Sequence, residues 1–231
     1  ATHVKVPMRG LCLVPEKLPQ GISLAMLSVV ADAVTTPFEA IRRSKLAADD
    51  VAVVVGAGGI GGFGVQIAAA CGARVIAIDV DPQRLALAAS HGASLTLNPA
   101  EKDEKQLKAA VKEFFRQNAA PGTTLKIFEM SGTPAGQMTA WNLLDYGAYL
   151  AVVGFTPKKI EIRLSNLMAF DATANGNWGC PADQYPAALD MVLAGKIALE
   201  PFVEFHPLKE TPAVLEGVAK HAFQRRVVLV P

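Results

Sequence analysis

The chain has 231 residues, of which 51% are hydrophobic and 19% charged; this excludes intrinsic disorder, which requires low hydrophobicity and high net charge. With 22 Lys and Arg against 21 Asp and Glu, the net charge is +1, so we expect neither nucleic acid nor a membrane surface as a partner. Cys12, Cys71 and Cys180 lie far apart, which fits neither a disulfide framework nor a zinc cluster and favours a reducing, cytoplasmic compartment.

Residues 1–16 carry no recognisable targeting signal. They lack the apolar core and the small-residue cleavage site of a signal peptide. They also lack an initiator Met and open in an extended pattern, so we expect the chain to be a fragment of a longer protein. Proline-punctuated extended segments are followed by a short apolar helix predicted near Leu24–Val30.

The longest uncharged stretch, Val51–Ala73, has the length of a membrane span. It also contains seven glycines, each of which costs a helix about 1 kcal/mol relative to alanine. A strand at Val51–Val55, a glycine turn and a buried helix through Cys71 explain the stretch better, and we predict that arrangement.

Short apolar strands then alternate with helical patterns. Further strands are predicted at Arg74–Ile78, Ser94–Leu97, Leu125–Met130, Tyr149–Val153 and Ala172–Trp178. Helices are predicted from Pro82 to Gly92 with Asp81 as cap, over Glu104–Gln117, and over Pro134–Asp145 with Thr133 as cap. Such alternation is typical of a parallel sheet covered on both faces. The sequence therefore predicts an α/β fold, a doubly wound parallel sheet of the Rossmann type.

The C-terminal segment has a different pattern. After Cys180 we predict a helix to about Leu193, a strand near Phe202–Phe205, a helix capped by Thr211 and Pro212, and a closing strand Arg226–Val230. We expect three parts: a dinucleotide-binding domain over 32–179, and the segments 1–31 and 180–231, packed together as remnants of a second domain. These remnants should expose apolar area.

A glycine-rich turn follows the first strand of the sheet. Gly56, Gly58 and Gly61 have the G-x-G-x-x-G spacing, with Gly59 between them. The first glycine allows a tight turn, the second lets the backbone approach a pyrophosphate, and the third lets helix and strand pack closely. The following helix offers free N–H groups to the phosphates. This turn predicts a dinucleotide site.

An acidic residue closes the second strand, as that prediction requires. Asp79 lies 23 residues after Gly56, where a carboxylate can bind the ribose hydroxyls and repel a 2′-phosphate, so NAD is preferred over NADP. S-adenosylmethionine methyltransferases share a glycine-rich first turn and an acidic end of the second strand. They usually carry an acidic residue just before the first glycine, where this chain has Val55.

Several motifs together resemble the zinc-type, medium-chain alcohol dehydrogenase family over nearly the whole chain. They are VTTPFEA before the first strand, GAGGIGG at the turn, LAVVGF at the fifth strand and the closing RRVVLV. The stretches VVADAVTTPFEA, KIFEMSGTPAGQ, LMAFDA and NWGCPADQYP are more particular. Within the family they resemble dehydrogenases of cyclic hydroxy-acyl-CoA thioesters from anaerobic aromatic degradation.

The resemblance implies a set of cofactor contacts. Thr36 should lie against the nicotinamide, and Val153, Gly154 and Phe155 should line the nicotinamide end, as should Trp178. Arg84 should reach the adenosine ribose. Arg226 should contact the pyrophosphate, with Arg225 as the off-by-one alternative.

The family's zinc-binding elements are missing from this sequence. No Gly-His-Glu segment and no C-x-x-C pair is present, and His3, His91, His206 and His221 are scattered along the chain. Aligned on Thr36, Asp32 matches the third zinc ligand of many relatives, although a one-residue slip would put Ala31 there. A carboxylate can bind zinc, but with one candidate ligand we expect no catalytic zinc in this chain alone.

The resemblance implies an NAD-dependent oxidoreductase, part of a homo-oligomer, in which zinc polarises an alcohol and hydride passes to the nicotinamide. This chain alone should bind NAD(H) without turnover. Two alternatives stay open. One is a zinc-free quinone or enoyl reductase of the same superfamily, which would usually prefer NADPH. The other is a non-catalytic nucleotide-binding module, which would have a complete fold without exposed apolar surface.

Overall fold

Six parallel strands form the central sheet of the chain. The structure, a computed structural model, describes residues 3–220 and 222–231; residues 1, 2 and His221 lie outside the described residues. The strands are β1 (Val51–Val55), β2 (Arg74–Ile78), β3 (Ala93–Leu97), β4 (Lys126–Glu129), β5 (Tyr149–Val152) and β6 (Thr173–Gly176). Their order in the sheet is β3-β2-β1-β4-β5-β6, which is the Rossmann order. The predicted fold class is confirmed.

Helices connect the strands and cover both faces of the sheet. The helices are α1 (Leu24–Leu27), α2 (Thr35–Arg43), α3 (Gly61–Ala70), α4 (Pro82–Ser90), α5 (Glu104–Asn118), α6 (Pro134–Asn142), α7 (Asn166–Ala169), α8 (Tyr185–Leu193) and α9 (Thr211–Ala219). Short 3₁₀ turns occur at Met8–Gly10, Ala182–Gln184, Glu200–Phe202 and Leu208–Glu210. A second sheet pairs β7 (Val203–Pro207) with β8 (Arg226–Val230) in parallel.

The uncharged stretch Val51–Ala73 is a strand, a turn and a helix, as predicted. It contains β1 and α3, with the glycine turn between them. In the part of the chain that the structure describes, no helix combines the length and the hydropathy needed to cross a bilayer.

Most element ends agree with prediction, and one difference has a visible cause. The helix predicted over Pro134–Asp145 ends at Asn142. Lys108 Nζ donates to the carbonyl oxygens of Asn142 at 2.6 Å and Leu144 at 3.2 Å. Carbonyls at a helix end need such donors, and Lys108 supplies them from α5. A cap from another helix leaves no local sequence signal.

The predicted cap at Thr211 is wrong. Thr211 is the first residue of α9, and the residue before it, Glu210, makes no side-chain capping bond. The Thr211 hydroxyl instead donates to the carbonyl oxygen of Leu208. The reason is the 3₁₀ turn Leu208–Glu210, which runs directly into the helix, so Thr211 is already inside the helix.

Alternate residues of β1 point to opposite faces of the sheet and join two different cores. Ala52 and Val54 belong to the core under α3 and α4, whereas Val51 and Val53 belong to the core under α5 and α6. The flanking segments contribute Leu27, Val192, Phe202 and Val228 to the first core. The flanks therefore pack on one face of the sheet, where they help to close the cleft described below.

The flanking segments expose apolar side chains, as predicted. In the N-terminal segment, Met8 is 86% exposed and Leu13 is 92% exposed. In the C-terminal segment, Leu215 and Val218 of α9 are exposed as well. Exposed apolar area of this kind is typical of a surface that another domain or chain covers.

Candidate functional site

Two glycines of the turn are required by close packing. Gly56 has φ +90°, and a Cβ there would lie 2.5 Å from the Cα of Ser131. A Cβ on Gly61, at the start of α3, would lie 1.7 Å from the carbonyl oxygen of Gly56. The backbone of the turn is therefore folded on itself and packed against Ser131, two residues after β4, which leaves no room for a side chain.

The two glycines between them face an open cleft. A Cβ on Gly58 would have Arg84 Nη1 as its nearest neighbour at 3.5 Å, and one on Gly59 would have Arg226 Cδ at 3.6 Å. Both contacts are ordinary van der Waals distances, so packing does not require glycine here. A bare backbone flanked by two arginine side chains, just before the first turn of a helix, is suited to bind an anion.

The cleft has a volume of about 970 Å³, in the range of small-molecule and cofactor sites. One wall is formed by the ends of the strands: Gly56, Gly58, Gly59, Asp79, Pro99 and Ser131. A second part of the lining comes from α9, β8 and the segment between them: Val214, Leu215, Phe223, Arg225, Arg226 and Val227. The structure thus brings Gly56, Gly58 and Gly59 together with Asp79, Arg84, Arg225 and Arg226.

Pro99 and Ser131 are cleft residues that sequence reasoning missed. They follow β3 and β4, and their position at the carboxyl ends of parallel strands was the available signal, because ligands of open α/β sheets bind there.

Asp79 is 6% exposed, and backbone amides fix its orientation. Oδ2 accepts from the Ala57 N–H at 2.7 Å, and Oδ1 accepts from the Asp81 N–H at 2.9 Å. The first bond ties the end of β2 to the glycine turn. Each carboxylate oxygen can still accept a further hydrogen bond, so Asp79 can receive hydroxyl donors from the cleft.

The two arginines differ in how they are held. Arg84 Nε lies 3.8 Å from Asp81 Oδ2, which is too long for a hydrogen bond, and this buried atom has no hydrogen-bond partner among the described residues. Arg226 Nη2 donates to Asp32 Oδ2 at 2.9 Å. The Arg84 guanidinium lies beside the glycine turn, since a Cβ on Gly58 would be 3.5 Å from Nη1.

Asp32 has an unusual backbone and two side-chain partners. Its φ is +94°, a conformation uncommon for residues other than glycine. Oδ1 accepts from the Thr36 hydroxyl at 3.0 Å, while Oδ2 accepts from Arg226. Asp32 therefore links the buried Thr36 of α2 to Arg226, which lines the cleft. Ala31, the alternative register, precedes it with ordinary φ −70°.

The residues predicted at the nicotinamide end lie after β5 and β6, outside the wall of the main cleft. Val153, Gly154 and Phe155 directly follow β5, and Trp178 follows β6. Phe155 is 76% exposed and Trp178 is 94% exposed, so neither is a core residue. Thr36 is buried, and its carbonyl oxygen accepts from the side-chain amide of Asn177 at 3.3 Å.

Sequence reasoning also missed Glu129, the last residue of β4. Its side chain is fully buried. Oε1 accepts from the Ser131 N–H at 2.8 Å, the Ser131 hydroxyl at 2.6 Å and the Gly132 N–H at 3.1 Å. Oε2 is buried without a hydrogen-bond partner among the described residues. Burial raises the pKa of the Glu129 carboxyl, although the nearby donors of Ser131, Gly132 and Gly154 act in the opposite direction.

This raised pKa predicts how stability depends on pH. Above its ordinary pKa of 4.5 the unfolded chain has released the proton that folded Glu129 still holds, so wild-type stability falls as the pH rises toward the folded pKa. We expect E129Q, which cannot ionise, to remove that part of the fall. Thermal unfolding of both proteins between pH 4.5 and 8 measures it. Parallel stability curves for the two proteins would contradict the prediction.

Comparisons with known proteins give a family match and several relatives. Residues 59–194 match the family described as zinc-binding dehydrogenase. Galactitol 1-phosphate 5-dehydrogenase of Escherichia coli (strain K12) is 28% identical over 190 residues, 78% of this chain and 53% of that protein. An alcohol dehydrogenase of Geobacillus stearothermophilus is 24% identical over 213 residues, 92% of this chain and 60% of that protein.

A solved structure of one of these relatives has a similar fold. The crystal structure of galactitol-1-phosphate dehydrogenase from Escherichia coli superposes with a TM-score of 0.80 at 25% identity, covering 93% of this chain and 62% of that one. The chain thus spans about half to three-fifths of the length of these relatives.

Proposed function

The chain belongs to the zinc-binding dehydrogenase family, and we propose that it is the NAD-binding portion of an alcohol dehydrogenase that oxidises a secondary alcohol. The observation that carries the proposal is the open glycine turn at Gly58 and Gly59. Arg84 and Arg226 flank this turn, and Asp79 lines the same cleft.

Each part of this cleft fits one part of NAD. The two guanidinium groups and the amides at the start of α3 offer charge and donors to a diphosphate. Asp79, buried and oriented by two amides, would accept the hydroxyl donors of the adenosine ribose. When bound, NAD would supply the acceptor for the hydride that leaves the alcohol carbon. The chain's own contribution is to bind and orient that acceptor.

The other half of the dinucleotide would extend over β4 and β5. In this sheet order the switch point lies between β1 and β4, so a dinucleotide that starts at β2 crosses the glycine turn toward β5. We propose that the backbone groups of Val153, Gly154 and Phe155 bind the nicotinamide carboxamide, with Thr36 against the ring and Trp178 beside it.

The described residues do not fit a catalytic zinc by themselves. They contain no group of three or more His, Cys, Asp or Glu side chains placed to hold a metal ion. The Asp32 carboxylate is shared between Thr36 and Arg226. Asp32 could therefore serve as a zinc ligand only with ligands from outside the described residues, and no step proposed for this chain involves zinc.

For the substrate, we propose a cyclic hydroxy-acyl-CoA, specifically 6-hydroxycyclohex-1-ene-1-carbonyl-CoA. The support is the resemblance carried by NWGCPADQYP and the neighbouring stretches. The test is NADH formation by the full-length encoded protein with this thioester, compared with galactitol 1-phosphate and simple secondary alcohols. Faster turnover of galactitol 1-phosphate would replace this substrate proposal without affecting the proposed NAD site.

The alternatives are less well supported by the site. A quinone or enoyl reductase that prefers NADPH would have to place a 2′-phosphate beside the Asp79 carboxylate. A self-contained nucleotide-binding module would not expose side chains such as Met8 and Leu13. We also propose a homo-oligomer, for which the edge strand β6 offers a candidate surface.

We expect the 231-residue chain to bind NADH and ADP without oxidising any alcohol. Isothermal titration with both ligands, followed by an absorbance assay for NADH formation, tests this. R226A should lower the affinity for both ligands about tenfold, which is the effect of losing one charge-assisted hydrogen bond. R116A, on the exposed face of α5, is the matched control and should leave both affinities unchanged. Failure of the wild type to bind either ligand would overturn the proposal.

A further inference from the structure

The loops after β4 and β5 cross each other in direct backbone contact. A Cβ on Gly154 would lie 2.2 Å from the Gly132 nitrogen, and a Cβ on Gly132 would lie 2.8 Å from the carbonyl oxygen of Phe155. Gly132 also has φ +64°. Neither loop can therefore move independently of the other.

The Glu129 carboxyl lies at this crossing. Oε1 holds the first loop through the N–H groups of Ser131 and Gly132. Oε2 faces the second loop, because a Cβ on Gly154 would lie 2.8 Å from it. The Glu129 carbonyl oxygen accepts from the N–H groups of Val153 at 2.9 Å and Gly154 at 3.0 Å. A single residue thus fixes both loops.

A structural role alone would need only an acceptor for the Ser131 and Gly132 N–H groups, which an uncharged polar side chain could supply. Burying a carboxyl group whose second oxygen has no partner is unfavourable, and sites that retain such groups are often functional. The loops it fixes are the ones proposed above to bind the nicotinamide half of NAD, and Ser131 lines the cleft itself.

We propose that Glu129 is a positioning residue for the nicotinamide half of the cofactor site. Its carboxyl holds the turn at Ser131 and Gly132 against Gly154, so that the backbone groups after β5 stay in place for the carboxamide. The inference rests on the proposed function, since it assumes that NAD crosses these loops. Glu129 itself does not touch the cofactor.

The test compares NADH with ADP, which lacks the nicotinamide half. E129L keeps much of the side-chain volume and removes both oxygens. We expect its affinity for NADH to fall about tenfold, while its affinity for ADP changes by less than about twofold. E129Q keeps an acceptor for the two amides, and its NADH affinity should stay within about threefold of wild type. S131A, which removes one donor to Oε1, should weaken NADH about threefold, and it provides the test if E129L does not fold.

The control is E39L, which removes a second buried glutamate, placed in α2 and paired with Arg42 at 2.8 Å. Its NADH-to-ADP affinity ratio should equal that of wild type. A folded E129L with the wild-type ratio, or one that loses both ligands equally, overturns the inference while the NAD proposal stands. If wild type binds neither ligand, both the proposed function and the inference fail.

Discussion

Replacing Gly61 with alanine should destabilise the protein by about 3 kcal/mol, the upper part of the range for overpacked sites. The added Cβ would lie 1.7 Å from the carbonyl oxygen of Gly56, and both atoms belong to a turn that is wedged between β1, α3 and Ser131. No flexible side chain can move aside, so the turn itself must shift. For a chain of this length, the melting temperature should fall by about 6–12 °C.

G58A is the matched variant, because it adds the same methyl group three residues away on the open side of the turn. Its nearest neighbour would be the end of the Arg84 side chain at 3.5 Å, so stability should stay within about 0.5 kcal/mol of wild type. The methyl would stand where a diphosphate approaches the backbone. We expect NADH affinity to fall at least about tenfold.

Calorimetry and NADH titration on both variants separate the two roles of glycine. G61A should lose stability, and G58A should lose cofactor affinity while it melts like wild type. Equal melting temperatures for the two variants would show that the turn accommodates a Cβ at Gly61. Unchanged NADH affinity in G58A would mean that the diphosphate does not bind at this turn.

The strands of the sheet could be predicted because their signal is local. β1 and β2 are short runs of apolar, mostly β-branched residues, each followed by a feature that ends a strand: glycines after Val55 and Asp79 after Ile78. Capping by Asp81 and Thr133 was also predicted, and both side chains accept from backbone N–H groups of the following helix. Local chemistry suffices for these elements.

The features that escaped prediction depend on distant residues. The end of α6 is set by Lys108, which is more than thirty residues away. The pairing of Asp32 with Arg226 joins residues 194 positions apart. Glu129 lies inside the strand predicted over Leu125–Met130, and only the crossing of two loops shows that its carboxyl is buried. The glycine turn and Asp79 could be predicted from one βαβ unit, whereas side-chain contacts between distant segments could not.

Removing the charge of Asp79 should largely abolish the preference for NADH over NADPH. In the wild type, a 2′-phosphate would lie next to a buried carboxylate, and repulsion of about 2.7 kcal/mol corresponds to a preference of about 100-fold. D79N removes this repulsion, and we expect the preference to fall below about tenfold. The measurement is the ratio of the two dissociation constants at one ionic strength, since salt screens the effect.

The ratio is the informative quantity because D79N also damages the glycine turn. Both Asp79 oxygens accept from backbone N–H groups, and an asparagine NH₂ would leave one of those donors without an acceptor. That damage lowers the affinity for NADH and NADPH equally, so it cancels in the ratio of the two dissociation constants. D50N is the control. Asp50 is equally buried and accepts from the Ala47 N–H at 2.9 Å, but it precedes β1 and so lies at the amino ends of the strands, away from the cleft. An unchanged ratio in D79N would mean that the adenosine ribose does not lie beside this carboxylate.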